Sequence, residues 1–225
     1  MSAEIARFKD LCIDAIDPLL LGRFWAELLR LDLSERADRL VLLTGAGQAS
    51  TIWVNPVPEP VTVKQRVHLD VHVADVTDAL GLGATPLDLD SFAWQVLRDP
   101  EGGELCVFPR EQVPARRLYE IGVDCADPSG LAGWWAGLIG GRCEVDEADG
   151  SVSLREIPGA PFDALVFARV PEPKSVKNRI HWDVTTVDIG LLTAYGAQVL
   201  RRPADGVVWT VLADPAGNEF CAFVD

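Results

Sequence analysis

The feature that most constrains this chain of 225 residues is an internal repeat that runs through nearly its whole length. Three blocks of sequence occur in a first copy and return in the same order in a second. They are Asp-Pro at 17–18 and 127–128, Val-Pro-Glu-Pro at 57–60 and 170–173 with His-x-Asp at 68–70 and 181–183, and Asp-Pro-x-Gly-x-Glu-x-Cys-x-Phe at 99–108 and 214–223. Because the offsets stay between 110 and 115 residues, the sequence predicts two tandem modules, 1–112 and 113–225.

Both copies predict the same order of elements: a strand, a helix, three strands, a short helix and two strands. Asp17 and Asp127 are typical helix N-caps, and the proline after each is favoured at the first helical position. Trp25 and Trp135 then fall on apolar helix stripes and are expected in the core, as is Trp182. The strands expected before the His-x-Asp strands lie at about 8–16, 39–44 and 50–55, and at about 118–126, 151–157 and 163–169. This mixture is typical of the α+β class.

Composition and charge exclude several classes of function. The chain has 20 basic and 34 acidic residues, and the resulting net charge of −14 disfavours a nucleic-acid partner, which needs a basic surface. Charged residues interrupt the N-terminal apolar run, so neither a membrane span nor a secretory signal is expected. Five cysteines without a Cys-x-x-Cys pair predict reduced thiols and a cytoplasmic location. The expected partner is therefore a small molecule.

The ordered motifs resemble those of the glyoxalase/bleomycin-resistance/extradiol-dioxygenase superfamily, also called the vicinal-oxygen-chelate superfamily. The resemblance covers both copies of the repeat. It implies two tandem βαβββ-type glyoxalase-like modules whose curved mixed sheets form cupped cavities. Members of the superfamily include lyases, isomerases, dioxygenases and non-catalytic antibiotic binders, so the fold alone does not decide the function.

The resemblance also implies a divalent metal, such as Zn, Fe, Mn or Ni, bound on the cupped face by residues of three strands. The first-strand ligand position falls on a carboxylate in each copy, and the middle-strand position falls on a histidine. The last-strand position falls on a cysteine, with a glutamate two residues earlier. Paired modules of the family commonly share their sites. The expected composite clusters are therefore Asp10, His181, Glu219 and Cys221, and Glu120, His68, Glu104 and Cys106.

The histidines also have a purely structural interpretation. Residues two apart on a strand share a face, which puts His68 with Asp70 and His181 with Asp183 on the polar faces of their strands. A neutral imidazole on such a face is a suitable metal ligand. An Arg-His-Asp network that satisfies buried polar groups explains the same pattern. The sequence leaves both interpretations open.

The glutamates and cysteines of the closing strands have two interpretations as well. Glu104 and Glu219 are the predicted catalytic residues, acting as a general base that removes a proton next to a carbonyl. The alternative is a carboxylate that caps a turn or pairs with an arginine. Cys106 and Cys221 suit thiolate ligands or nucleophiles, but unpaired cysteines more often serve as small buried hydrophobic residues.

Tryptophans and aspartates are the predicted lining of a substrate pocket. Trp53, Trp94 and Trp209 lie on expected strands, and aromatic walls bind flat ligands. Asp70 and Asp183 are expected on the same face as the histidines. Packing within the protein is the alternative use of the three tryptophans.

Three functions agree with these observations. The first is a metal-assisted lyase, isomerase or dioxygenase that stabilises an enolate or alkoxide formed from a carbonyl-bearing substrate. The second is a non-catalytic protein that sequesters a flat or cationic compound such as an antibiotic. The third is a protein whose cups are filled by side chains and whose surface mediates association. A fused pair of modules is compatible with either a monomer or a homodimer.

Overall fold

A computed structural model of the chain describes residues 5–45, 47–204 and 206–225. The N-terminal half contains β1 (Arg7–Ala15), α1 (Pro18–Leu29), β2 (Asp32–Glu35), β3 (Val41–Gly45), β4 (Gly47–Pro56), β5 (Val67–Val73), α2 (Thr77–Leu80), β6 (Thr85–Asp88), β7 (Gln95–Arg98) and β8 (Glu104–Pro109). The C-terminal half contains β9 (Leu118–Cys125), α3 (Pro128–Ile139), β10 (Arg142–Val145), β11 (Val152–Arg155), β12 (Ala164–Arg169), β13 (Ile180–Thr186), α4 (Ile189–Ala194), β14 (Gln198–Arg201), β15 (Thr210–Ala213) and β16 (Glu219–Val224). The two halves therefore contain the same strands and α-helices in the same order, and the first half also has a 3-10 helix at Ala37–Arg39.

The strands form two eight-stranded mixed sheets, and each sheet combines strands from both halves of the sequence. The first sheet has the order β14-β15-β16-β13-β1-β4-β3-β2, and the second has the order β10-β11-β12-β9-β5-β8-β7-β6. β1 pairs antiparallel with β13, and β5 pairs antiparallel with β9. Both sheets are curved but not closed, which confirms the predicted α+β class with cupped sheets. We call the polar faces of these sheets the first cup and the second cup.

The two long helices begin at the residues that the sequence predicts. The Asp17 carboxylate accepts hydrogen bonds from two backbone N–H groups of the first turn of α1, and Asp127 accepts one in α3. Trp25 and Trp135 are fully buried. Helix α1 packs on β2, β3 and β4, and α3 packs on β10, β11 and β12. No helix in the described ranges is long and apolar enough to cross a membrane.

The two His-x-Asp strands, β5 and β13, have one apolar and one polar face. Leu69 and Val71 of β5 are fully buried in the hydrophobic core. Trp182 of β13 packs edge-on against Trp135, with ring centroids 4.8 Å apart, which confirms its predicted core position. Since side chains alternate along a strand, the neighbouring histidines and aspartates point into the cups.

The structure contains four strands that the sequence analysis does not predict, namely β2, β6, β10 and β14. They are the edge strands of the two sheets. Each has four residues, and most of these residues are exposed or half-buried. An edge strand buries little of either face, so it lacks the alternation by which longer strands are recognised. Trp94 and Trp209 come directly before β7 and β15 rather than within them.

Each repeated Val-Pro-Glu-Pro segment accepts a hydrogen bond from an arginine of the other half of the chain. Arg66 donates from Nη2 to the carbonyl oxygen of Pro173 at 3.2 Å, and Arg179 donates to the carbonyl oxygen of Glu59. Arg179 also forms an ion pair with Glu101 at 3.2 Å. The repeated arginines therefore bind the opposite segment and a turn, rather than the histidine–aspartate pairs of the cups.

Candidate functional site

The first cup contains four polar side chains from three neighbouring strands: Cys12 on β1, His181 and Asp183 on β13, and Cys221 on β16. The Sγ atom of Cys12 lies 3.6 Å from Oδ2 of Asp183, and the Sγ atom of Cys221 lies 3.6 Å from Nε2 of His181. The same nitrogen lies 3.7 Å from Oδ1 of Asp183. The potential donor atoms of Cys12, His181 and Asp183 all lie within 4.8 Å of one another, which is close enough to share one metal ion.

Burial decides the protonation of these four groups. Loss of hydration disfavours the charged form of each. It lowers the pKa of His181 to about 4 and raises the pKa of Asp183 to about 7. It also raises the pKa values of the Cys12 and Cys221 thiols. Near neutral pH the imidazole is therefore uncharged and both thiols keep their protons.

The four side chains line a cavity of about 750 Å³ in the first cup. Its aromatic walls include Trp53 on β4, Trp209 before β15 and Phe223 on β16. Its charged lining has three basic and three acidic residues: Lys9, Lys177, Arg201, Asp14, Asp183 and Glu219. A volume of this size suits a small organic ligand. The cavity thus combines aromatic surface and balanced charge with a cluster of metal-donor atoms.

The second cup repeats the His-x-Asp strand but places its histidine differently. His68 on β5 is the cross-strand neighbour of Gly122 on β9. A Cβ atom at position 122 would lie 2.2 Å from Cε1 of His68, so only glycine leaves room for the ring. In this position Nε2 of His68 lies 3.3 Å from Oδ1 of Asp70. Cys106 completes a second group of potential donors within 4.8 Å.

The shift in the pKa of His68 is opposite to that of His181. Burial disfavours the charged imidazole, but the hydrogen bond and negative charge of Asp70 outweigh it and raise the pKa of His68 well above its usual value. Burial also raises the pKa of the Cys106 thiol, against the influence of His68. The second cup therefore holds a charged histidine, whereas the first holds a neutral histidine and protonated thiols beside an aspartate with a pKa of about 7.

A row of aromatic rings in contact extends from the closing strands of the second sheet. Its neighbouring ring centroids are 5.0 to 5.5 Å apart, and its members in order are Phe92, Trp94, Phe108 and Tyr119. Phe108 lies two residues after Cys106 on β8, so both point into the second cup. The guanidinium of Arg110 lies over Phe108 and Tyr119. In the first cup the residue equivalent to Tyr119 is Lys9, and its Nζ lies 4.4 Å from the ring centroid of Phe223.

The predicted pocket residues therefore divide between the cups. Trp53, Trp209 and Asp183 line the cavity of the first cup. Trp94 and Asp70 belong to the second cup, where one is stacked between aromatic rings and the other is paired with histidine.

Asp10 and Glu120, the carboxylates predicted as first-strand metal ligands, are buried, and each has a partner. Asp10 forms an ion pair with Lys9 and accepts a hydrogen bond of 3.3 Å from Nε1 of Trp53. Glu120 forms an ion pair of 3.0 Å with Arg155. Among the described residues, neither donor group includes these carboxylates, whereas both include a predicted histidine. Metal ligation by Asp10 and Glu120 stays a prediction.

The predicted catalytic glutamates occupy equivalent positions at the start of β8 and β16. Oε1 of Glu219 lies 2.7 Å from Nζ of Lys174, and Oε2 accepts the backbone N–H of Asn178 at 3.1 Å. Glu219 lines the cavity of the first cup. The backbone N–H of Glu104 donates to the side chain of Gln65 at 3.0 Å. Catalysis by either glutamate stays a prediction.

The sequence analysis does not identify Cys12 or Gly122, the two residues that make the cups different. They are equivalent positions on β1 and β9, five residues before the Asp that caps the following helix. Cys12 is the cross-strand neighbour of His181, as Gly122 is of His68. A comparison of the two copies, residue by residue, would have shown that this position changes while the facing histidine does not.

The profile of the glyoxalase-like domain matches residues 10–108 and 120–223, which together make up most of the chain. The chain belongs to the glyoxalase-like domain family. The segment between the two matches contains the predicted module boundary at residues 112 and 113. A search of curated proteins gave no match.

Solved structures with the same fold share little sequence with this glyoxalase-like protein. A putative dioxygenase from Bacillus subtilis subsp. subtilis str. 168 has a TM-score of 0.66 and 13% identity, covering 99% of this chain and 86% of its own. Glyoxalase I from Zea mays has a TM-score of 0.64 and 12% identity, covering 97% of this chain and 92% of its own. At such identities the likeness establishes the fold alone.

Proposed function

We propose that this protein binds a small carbonyl-bearing molecule in the first cup and converts it with the help of a divalent metal ligated by Cys12, His181 and Asp183. The observation that carries the proposal is the meeting of these three donors at the wall of a cavity of about 750 Å³. The reaction would be of the lyase, isomerase or dioxygenase type. All five cysteines are unpaired, which supports a reducing compartment such as the cytoplasm.

The three donors fit a metal ion in spacing and in chemistry. Cys12 and Asp183 are separated by 3.6 Å, and His181 and Asp183 by 3.7 Å. Neighbouring ligands in a tetrahedral zinc site have about this separation, since zinc–ligand bonds are about 2.0–2.3 Å long. Thiolate, imidazole and carboxylate are all zinc ligands. Oδ1 of Asp183 is buried without a hydrogen-bond partner among the described residues, and a cation would satisfy it.

The remaining lining residues of the cavity suit substrate binding. When bound, the metal would supply a Lewis acid for a substrate oxygen. Trp53 and Trp209 offer apolar faces to a flat substrate, and the nearby Arg201 offers a cation to an acidic group on it. Glu219 lines the same cavity and is held by Lys174, and we assign to it the role of accepting a proton from the bound molecule.

Titration of chelator-treated protein with Co²⁺ and Zn²⁺ tests the metal site. Co²⁺ bound through a thiolate gives a charge-transfer absorption that Co²⁺ bound through oxygen and nitrogen alone lacks. We expect one equivalent of Co²⁺ to bind with this absorption, Cys12→Ser to abolish the absorption, and His181→Ala to weaken binding at least tenfold. The matched control is His68→Ala in the second cup, which should leave the absorption and the stoichiometry unchanged.

A fluorescence titration then tests the cavity as the site of substrate binding. Addition of α-dicarbonyl, hydroxy-ketone and catechol compounds should quench tryptophan emission more strongly in the metal-loaded protein, and Trp209→Phe should reduce the quenching. Absence of a stoichiometric metal in the wild-type protein, whether prepared aerobically or anaerobically, would overturn the catalytic proposal.

A second candidate function is metal-independent sequestration of a flat compound. The observation that favours it is the pair of tryptophans, Trp53 and Trp209, on the wall of a cavity whose thiols keep their protons. The charged lining is balanced, so it provides no selection for a cationic compound over a neutral one. Quenching that is equal with and without metal, and without turnover of the ligand, would favour this function over catalysis.

A further inference from the structure

A second cavity lies on the opposite side of the first sheet from the cup. It has a volume of about 350 Å³ and is lined by residues of β1, the end of α1, β4 and the segment before β9. Leu11 and Ile52 line it, whereas their neighbours Cys12 and Trp53 line the cup. Because adjacent residues on a strand point to opposite faces, the two cavities are separated by the sheet. We call this second cavity the arginine pocket.

The arginine pocket is lined by three arginines, Arg30, Arg116 and Arg117, and by no acidic residue within the described ranges. This is unusual in a chain with a net charge of −14. Arg116 forms an ion pair with Asp163, outside the lining. Glu27 and Asp78 line an adjoining groove of about 470 Å³, which Arg30 and Arg117 also line. The pocket itself therefore has an excess of positive charge.

Arg117 shows the electrostatic consequence most clearly. Only 7% of the surface of residue Arg117 is exposed, and Nη1 donates to the carbonyl oxygen of His72 at 3.3 Å. Its Nε has no hydrogen-bond partner among the described residues. Burial, and after it the like charge of Arg30, lower the pKa of Arg117 against the opposing influence of Asp78. A buried guanidinium next to another cation is stabilised when an anion binds between them.

The backbone conformation of Arg30 also supports anion binding in the arginine pocket. Arg30 follows the last residue of α1 in a left-handed conformation, with φ of 57°, where glycine is favoured. The equivalent residue after α3 is Gly140. Arginine in this conformation is less stable than glycine, and it directs a guanidinium to the pocket that glycine would not supply.

The floor of the arginine pocket is apolar. Leu11, Leu29, Ile52 and Leu118 are all buried residues that line it. A guanidinium binds the two oxygens of a carboxylate with parallel hydrogen bonds, and leucine and isoleucine side chains favour an apolar body. A volume of about 350 Å³ is within the range of small-ligand sites.

We propose that the arginine pocket is a binding site for a small amphiphilic carboxylate, with the carboxylate between Arg30 and Arg117 and the apolar body on Leu11 and Ile52. The site is independent of the cup, because it lies on the other face of the sheet and shares none of the lining residues of the cup cavity. Its ligand is therefore a second molecule rather than part of the molecule bound in the cup.

Calorimetric titration with octanoate tests this site in the full chain, with 1-octanol and inorganic phosphate as comparison probes. We expect octanoate to bind, and to bind at least tenfold more tightly than either probe, since one lacks the charge and the other the apolar body. Arg30→Asn should weaken octanoate binding about tenfold or more, because asparagine tolerates the left-handed conformation but carries no charge. Arg117→Gln should weaken it further.

The matched control is Arg23→Gln, which removes an exposed arginine from the same helix outside the pocket and should leave binding unchanged. His181→Ala should also leave it unchanged, since that residue lies in the cup. Three results overturn the proposal: no octanoate binding, equal affinity for octanoate and 1-octanol or phosphate, or equal octanoate affinity in Arg30→Asn and wild type. Arg30→Asn keeps the test decisive if Arg117→Gln does not fold.

Discussion

The two cups have the same His-x-Asp strand, yet their histidines carry different charges. In the second cup His68 lies over Gly122 and binds Asp70 at 3.3 Å, which raises its pKa. In the first cup the facing residue is Cys12, and His181 stays 3.7 Å from its aspartate with a pKa lowered to about 4. A different cross-strand neighbour thus accompanies a charged histidine in the second cup and a neutral histidine in the first.

The aromatic contacts around the closing strands also differ between the two cups. Trp94 lies between two aromatic rings in the second cup, whereas its equivalent Trp209 contacts one ring, Phe223, and faces the cavity. Lys9 occupies the position that Tyr119 holds in the second cup. The second cup therefore has more contacts among its aromatic side chains, whereas the first cup has a cavity lined by donor groups.

The largest expected difference is in the titration of the two histidines in chelator-treated protein. His181 should stay neutral down to about pH 4, and His68 should stay protonated well above pH 6.5. The raised pKa of His68 stabilises the fold below about pH 6.5, and that stability is lost as the pH rises through the folded pKa. The lowered pKa of His181 has the opposite sign, since its contribution is present above about pH 6.5 and lost as the pH falls towards 4.

Imidazole NMR signals measured from pH 3 to 9, assigned with His68→Gln and His181→Gln, check this expectation. Equal pKa values for the two histidines would contradict the structural difference between the cups. The third histidine, His72, gives a third imidazole signal. Its pKa should also lie below the usual value, because burial and the Arg110 charge lower it.

Gly122→Ala should break the arrangement of the second cup. Its Cβ would overlap the His68 ring, so the ring has to move away from Asp70. We expect a loss of about 2–3 kcal/mol in the free energy of unfolding, measured by urea denaturation, and a lower pKa for His68. The control is Gly133→Ala in helix α3, where a Cβ meets no atom within 4 Å. That variant should be as stable as wild type or slightly more stable, because alanine favours helix.

The two aspartates should respond differently to replacement by asparagine. Asp70→Asn removes the partner of a charged histidine and should cost about 2 kcal/mol at pH 7. Asp183→Asn should cost less than about 1 kcal/mol, because burial raises the pKa of this carboxyl to about 7 and leaves it partly protonated. A raised carboxyl pKa lowers stability as the pH rises from about 4 to 7, so Asp183→Asn should also weaken that decline. Thermal unfolding at pH 5 and pH 8 measures both effects, and equal costs for the two variants would argue against them.

The smallest expected difference concerns the equivalent tryptophans. Trp94→Ala should reduce the free energy of unfolding by about 1 kcal/mol more than Trp209→Ala, because Trp94 stacks on two rings and Trp209 on one. Trp209→Ala should instead reduce ligand-induced quenching in the first cup. A larger stability loss for Trp209→Ala would show that the first cup depends on this ring for packing.

Long, two-faced elements were predictable from the sequence, and short exposed ones were not. The N-caps Asp17 and Asp127, the helices after them and the alternation of β5 and β13 follow from patterns within a few residues of chain. The edge strands β2, β6, β10 and β14 bury little surface and are defined by hydrogen bonds to a neighbouring strand. Since that neighbour is a property of the folded sheet, the local sequence carries little signal for them.

The sequence singled out several residues of the candidate site without placing them together. His181, Asp183, Trp53 and Trp209 all line the cavity of the first cup, and their roles in binding stay predictions. Cys12 was missed because it looks like an ordinary apolar residue of a buried strand. Its contact with Asp183, 171 residues away along the chain, exists only once β1 pairs with β13.

The sequence by itself determined that this protein is a duplicated glyoxalase-like module, because repeated motifs and residue periodicity are encoded along the chain. Tertiary structure alone decided that donor groups line a cavity in the first cup, which histidine is charged and where three arginines meet around a pocket. Those outcomes depend on the distances between side chains brought together from both halves. Gly122 stands where the first copy has Cys12, and the facing histidine lies at a different distance from its aspartate in each cup. The hydration and charge of each histidine depend on such distances.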